Sequence, residues 1–113
     1  MKRYRAILHL AEKDRASLAL NNVNNLLADL GDDLVEAEIL ANSEGVAALL
    51  KASPLGERVE ELAARGVRFA VCSRTLRAMG IGEEEVMAVA EVVPTGTGEL
   101  VKRQSEGWAY VRP

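Results

Sequence analysis

Eleven consecutive residues constrain the fold of this chain more than any others: Gly66-Val67-Arg68-Phe69-Ala70-Val71-Cys72-Ser73-Arg74-Thr75-Leu76. A glycine that stops a preceding helix is followed by an apolar run, and polar, helix-compatible residues follow at once. The pattern predicts a buried β-strand feeding a helix directly, with the only cysteine of the protein at the junction. A thiol in that position faces the positive end of a helix dipole, which favours the reactive thiolate.

The same alternation runs along the whole chain. Residues 4–10 predict a first strand; its centre, Ala6-Ile7-Leu8, does not alternate with polar residues, as suits a strand covered on both faces. Residues 14–30 predict a helix, with Ala16, Ala19, Leu20, Val23, Leu27 and Leu30 on one face, Asp14 at its start and Gly31 at its stop. Residues 34–41 predict a second strand. Glu36 and Glu38 share one of its faces, which suggests partial exposure near an edge or a subunit boundary. A turn at 42–45 leads into a short helical piece at 46–51. Ser53-Pro54 then predicts a capped helix that closes at Gly66. The third strand, 67–72, passes into a short helix at 73–79 stopped by Gly80, and 81–85 predicts another turn. A fourth strand at 89–93 ends on Pro94. After a threonine-capped loop at 95–98 come a helix at 99–106 and a fifth strand at 108–112.

Strands alternating with helices imply right-handed crossovers and a mostly parallel sheet. At 113 residues, 49% of them apolar, the chain makes one domain with a core that needs no disulfide or metal. A net charge of −3 provides no basic surplus for nucleic acid. No apolar run is long enough to span a bilayer and no signal-peptide core follows the basic start, so the expected location is the cytoplasm. One cysteine and one histidine cannot build a structural zinc site, and there is no CxxC pair. Dinucleotide, P-loop and hydrolase-elbow motifs are absent, so no cofactor and no metal are expected.

Ligands of open parallel sheets gather outside the carboxyl ends of the strands. Those ends here carry His9, Asn42-Ser43, Cys72-Ser73 and Thr95-Gly96. Cys72 is the candidate nucleophile, against the alternative of a small buried apolar residue. Ser73 and Thr75 either bind its sulfur or cap the following helix. His9 is a candidate proton partner, and Ser43 belongs to the same mouth. Asn22 and Asn25 lie with Leu18 and Asp29 on a helical stripe away from the apolar face. Asn25 is therefore a candidate for a subunit contact or a site at a subunit boundary. Trp108 and Tyr110 share one strand face and are expected to pack under a helix or at an interface.

Three segments carry a family resemblance: 21–27 (NNVNNLL), 65–76 (RGVRFAVCSRTL) and 98–113 (GELVKRQSEGWAYVRP). The chain resembles the DsrE/DsrF-like family of small α/β sulfur-relay proteins. The resemblance implies a three-layer α/β/α sandwich with a five-stranded parallel sheet of order 4-3-2-1-5. It also implies a homo-oligomer, a trimer or hexamer, and a persulfide carried on Cys72 between a sulfur-donor and a sulfur-acceptor protein. The alternatives are a non-catalytic oligomeric binding or regulatory subunit of the same fold and, by fold analogy alone, a nucleotide or flavin binder.

Overall fold

The apolar runs form one sheet. The computed structural model describes residues 2–113. Its strands are β1 (Tyr4–Leu10), β2 (Val35–Ala41), β3 (Arg68–Cys72), β4 (Ala90–Val93) and β5 (Ala109–Val111). They pair in the order β4-β3-β2-β1-β5, and every pairing is parallel. Between them lie helices α1 (Ala16–Leu30), α2 (Gly56–Ala64), α3 (Ser73–Met79) and α4 (Gly96–Ser105). Short 3-10 segments occupy Lys13–Arg15, Ser43–Leu49 and Glu83–Glu85.

The period of two along each strand sorts the core into two layers. On one face Leu8, Ile39, Phe69 and Val71 meet Val23 and Leu27 of α1, Val59 and Leu62 of α2, and Leu76 of α3. On the other face Ile7, Leu40, Ala70 and Val93 meet Trp108 and Leu100 of α4. The chain therefore winds from β1 to β4 with α1, α2 and α3 on one side. It then returns across the opposite side through α4 to β5. The direction of winding changes between β3 and β4, and in sheets of this kind ligands bind at that switch.

Several boundaries differ from the sequence expectation for local reasons. Asp14 does not cap α1; a 3-10 turn intervenes and α1 begins at Ala16 without a side-chain cap. Ser53 does not cap α2: its Oγ accepts from the Leu55 amide at 3.1 Å, and that turn delays the helix to Gly56. The segment after β2 is one continuous 3-10 helix from Ser43 to Leu49. It is tucked against β1 so tightly that a Cβ on Gly45 would collide with the Leu10 carbonyl. The Gly96-Thr97-Gly98 part of the predicted loop lies inside α4, because Thr95 is the cap and the helix begins at Gly96.

The larger correction concerns Glu36 and Glu38. β2 is the central strand, not an edge. Glu36 is half-buried, and Glu38 is only 1% exposed. A carboxylate at a core position looks like a solvent-facing residue in the one-dimensional pattern. Its cation, Arg103, lies 65 residues away in sequence.

Candidate functional site

Cys72 ends β3 and is the N-cap of α3, with extended backbone (φ −72°, ψ 116°). Its sulfur accepts from the Thr75 amide at 3.4 Å, taking the place that a serine or aspartate oxygen would fill. Cys72 and Val93 are register partners across β3 and β4, so Cys72 stands at the winding switch. The chain beyond Val93 enters α4 there, and the Gly96 amide at the head of α4 lies near enough to the sulfur to lower the thiol pKa. The first turns of two helices thus converge on one atom.

The electrostatic result is a contest. Burial raises the thiol pKa; the Thr75 hydroxyl and the amides of Thr75, Gly96 and Arg74 lower it, and the lowering prevails. Cys72 is nevertheless only 6% exposed. The surroundings favour the thiolate more than water does, while the protein partly roofs the sulfur.

Glycine at position 96 fits a tight approach to Asn42 and Leu40. A Cβ there would stand 3.1 Å from the Asn42 Cβ and Nδ2 and 3.2 Å from Leu40 Cδ1. A Cβ at 96 would require Asn42, Leu40 or the head of α4 to give by a few tenths of an ångström.

The other predicted residues fall into three groups. Thr75 belongs to the site, but as a bridge: its amide donates to the sulfur at 3.4 Å, its hydroxyl oxygen accepts from the Ser43 amide at 3.1 Å, and the hydroxyl also lowers the thiol pKa. Ser43 contributes that amide. It holds φ at +52°, a left-handed conformation that costs a non-glycine residue about 1 kcal/mol. Ser73 is the first residue of α3 and caps nothing, because Cys72 is the cap itself.

His9 lies on the same edge of the sheet but is engaged elsewhere. Its Nε2 is 2.9 Å from Asn42 Oδ1 and its Nδ1 is 2.7 Å from the Tyr110 hydroxyl. With the hydrogen on Nε2, the ring donates to Asn42 and accepts from Tyr110. Asn42, which packs against Gly96, stands between His9 and the Cys72 mouth. The sequence placed Asn42 in a turn and among the polar strand ends at the mouth, but not its contact with His9.

Asn25 is exposed on α1, which runs back from the mouth toward the amino ends of the strands, so it does not join this group. The asparagines that make contacts are its neighbours. Arg58 donates to Asn21 and Ser17, and Arg65 donates to Asn24 and to both oxygens of Asp32. These contacts fill a groove of about 220 Å³ between α1 and α2. Trp108 is buried under α4 as expected, with the Arg103 guanidinium 4.7 Å from its ring centre. Among the described residues no cluster of side chains suits a metal ion, and no helix is long and apolar enough to cross a membrane.

No curated protein matches the chain. Among solved structures, MTH1491 from Methanobacterium thermoautotrophicum, a protein of unknown function, is 44% identical, with a TM-score of 0.92 over 97% of this chain and 99% of that one. The ychN protein from E. coli is 17% identical and shares the fold, with a TM-score of 0.77 over the full length of both chains. The model of the DsrE/DsrF-like family matches residues 7–113. That span takes in every strand end at the mouth, from His9 to Gly96, and with the sheet order it shows that this chain belongs to the DsrE/DsrF-like family.

Proposed function

We propose that the protein is a sulfur relay in which Cys72 carries sulfane sulfur as a persulfide. The observation that supports this most is the place of the sulfur at the head of α3, where it accepts from the Thr75 amide at 3.4 Å and where the Thr75 hydroxyl and the nearby Arg74 and Gly96 amides also lower its pKa. Donors so placed stabilise the Cys72 thiolate both when it attacks and when it leaves.

In the loading step the Cys72 thiolate attacks the outer sulfur of a donor persulfide, R–S–SH. A sulfur–sulfur bond forms to Cys72, the bond to the inner donor sulfur breaks, and R–S⁻ leaves with the electron pair. The proton stays on the transferred sulfur. A second thiolate then attacks that sulfur, taking it as R′–S–SH and regenerating Cys72–S⁻. Neither step changes the overall redox balance. Thiolate fraction and access govern the rate of each. The chain has no second cysteine, so donor and acceptor are separate thiol-bearing partners.

The proposal includes the cytoplasm as the working compartment, since a lone thiol persists in a reducing environment. It also includes self-association into a trimer or hexamer. Among the described residues α4 is the only helix over its face of the sheet, and Arg5, Arg68, Glu91 and Tyr110 on that face are exposed. Light scattering on the purified protein reads the assembly directly.

Mass spectrometry after exposure to polysulfide is the test of the relay. A gain of one sulfur mass on Cys72, absent in Cys72→Ser, is expected. The burial of Cys72 favours a second reading, in which the thiol only caps α3 and the protein is a non-catalytic binding subunit. An unmodified cysteine under every donor, with resistance to iodoacetamide in the native state, would establish that reading and end the first.

A further inference from the structure

Two carboxyl groups are buried beneath α4, apart from the Cys72 mouth. Glu38 rises from the middle of β2 and Glu99 descends from the first turn of α4; they are 1% and 5% exposed. One cation serves both. Arg103 Nε is 2.8 Å from Glu38 Oε1 and 3.2 Å from Glu99 Oε2, and Arg103 Nη1 is 3.2 Å from Glu106 Oε1. The other charged groups on the elements around Glu38 are Glu36 on its own strand, Arg5 on β1, Arg68 on β3, and Lys102 and Glu106 on α4. Arg68 is already directed at Glu36, 3.7 Å away.

Among the described residues only Arg103 pairs with Glu38 or Glu99, so two ionised acids would share one cation in the buried layer. Glu38 Oε2 is buried and has no hydrogen-bond donor. Both carboxyl groups contact the same Arg103 Nε, at 2.8 and 3.2 Å, so they are close neighbours beneath α4. Neighbouring carboxylates in an apolar layer do not both ionise, and one proton held between them is the donor that Glu38 Oε2 lacks.

We propose that Glu38 and Glu99 share a single proton at neutral pH, and that this proton is a latch: its loss in mild alkali loosens α4 from the sheet and withdraws the Gly96 amide from Cys72. Burial, and then the nearness of Glu99, raise the Glu38 pKa to about 8, while Glu99 is lowered by the same contact. The two therefore titrate as a pair. Glu99 is three residues from Gly96, so the latch and the amide near the sulfur share one helical turn. The bearing of the latch on sulfur transfer rests on the relay reading; the latch itself does not.

Trp108 is the only tryptophan and its ring lies on Arg103, so its fluorescence reports this cluster. The titration is made on Cys72→Ser, which removes any thiolate quenching, from about pH 5.5 to about pH 9.5, below tyrosine ionisation. A sigmoidal change with a midpoint near 8 is expected, lost in both Glu38→Gln and Glu99→Gln. The unsubstituted protein gives two further readouts that depend on no variant. Its infrared spectrum at neutral pH contains the carbonyl stretch of one protonated carboxyl, which disappears across the same midpoint. Hydrogen exchange at Gly96, corrected for its intrinsic pH dependence, speeds by about tenfold across it. A flat fluorescence trace, a transition that survives both glutamine variants, or no protonated carboxyl at neutral pH overturns the latch. Unchanged exchange at Gly96 overturns its link to Cys72. None of these results depends on whether Cys72 accepts sulfur.

Discussion

Replacing Arg103 with methionine removes the cation of the buried cluster while keeping an apolar stem over Trp108. Glu38 and Glu99 are then left beneath α4 without their shared partner. Removing one partner of a buried ion pair costs about 3–5 kcal/mol, because the remaining charge is uncompensated. That is a large fraction of the roughly 5–15 kcal/mol that holds a domain together. The cost depends on pH, and its sign follows from the direction of the Glu38 shift. An acid whose folded pKa lies above its unfolded value holds more protons when folded. Its stabilisation is complete below the unfolded value and is lost as pH rises through the folded one. For Glu38 the window runs from 4.5 to about 8. At about 1.4 kcal/mol per tenfold change in proton affinity, it bounds the loss at about 5 kcal/mol. The opposite shift of Glu99 returns part of this. Arg103→Met therefore costs about 3–5 kcal/mol near pH 7.5 but under about 2 kcal/mol near pH 5, where the carboxyl that has lost its cation takes up a second proton. Urea unfolding followed by far-ultraviolet circular dichroism measures this without relying on Trp108, whose surroundings the substitution itself alters. Adding Glu38→Gln should recover about half or more of the loss near pH 7.5, because the pair is coupled. A cost below about 1 kcal/mol, or one that is the same at both pH values, would refute the assignment of a buried, proton-sharing pair.

Cys72→Ser should keep stability within about 0.5 kcal/mol while abolishing sulfur loading, whereas Cys72→Ala should lose about 1 kcal/mol with its cap; paired unfolding curves and mass spectra check both. Thr75→Val removes the foremost of the contacts that offset burial of the thiol, so the alkylation midpoint of Cys72 should move to higher pH in a rate-against-pH profile. No movement would mean that the hydroxyl does not reach the sulfur. Gly45→Ala drives a methyl into the Leu10 backbone and should destabilise by about 3 kcal/mol or more, read as a fall in the thermal midpoint. Arg65→Met breaks a bidentate contact with Asp32, but both side chains are about a third or more exposed. Its effect on the same unfolding curves should fall well short of that of Arg103→Met.

Elements whose signal is local are legible in the residues alone. The glycine stop, apolar run and polar continuation of 66–76 are consecutive residues, and they place Cys72 at a strand–helix junction, where it stands. The apolar face of α1 repeats every turn and packs as its spacing implies. Caps are less legible, since Asp14 and Ser53 have the right side chains and lose to 3-10 and serine turns set by the adjoining loops. The polar groups at the mouth are legible as a set of strand ends, but not in their pairing. His9 turns to Asn42 and Tyr110, a choice set by the neighbouring strands on either side of β1.

The order of residues in this chain was by itself enough for a parallel α/β sheet with a cysteine at the foot of a helix, because hydrophobic period and chain-stop residues act over a few positions. Tertiary structure alone decided what surrounds that cysteine. The Gly96 amide comes from the far side of the winding switch and carries no side-chain signal. Glu38 reads as solvent-facing until Arg103 and Glu99 close over it. Both depend on α4 crossing the sheet, which brings distant residues into one apolar layer where the energies of charge and hydrogen bonding are largest.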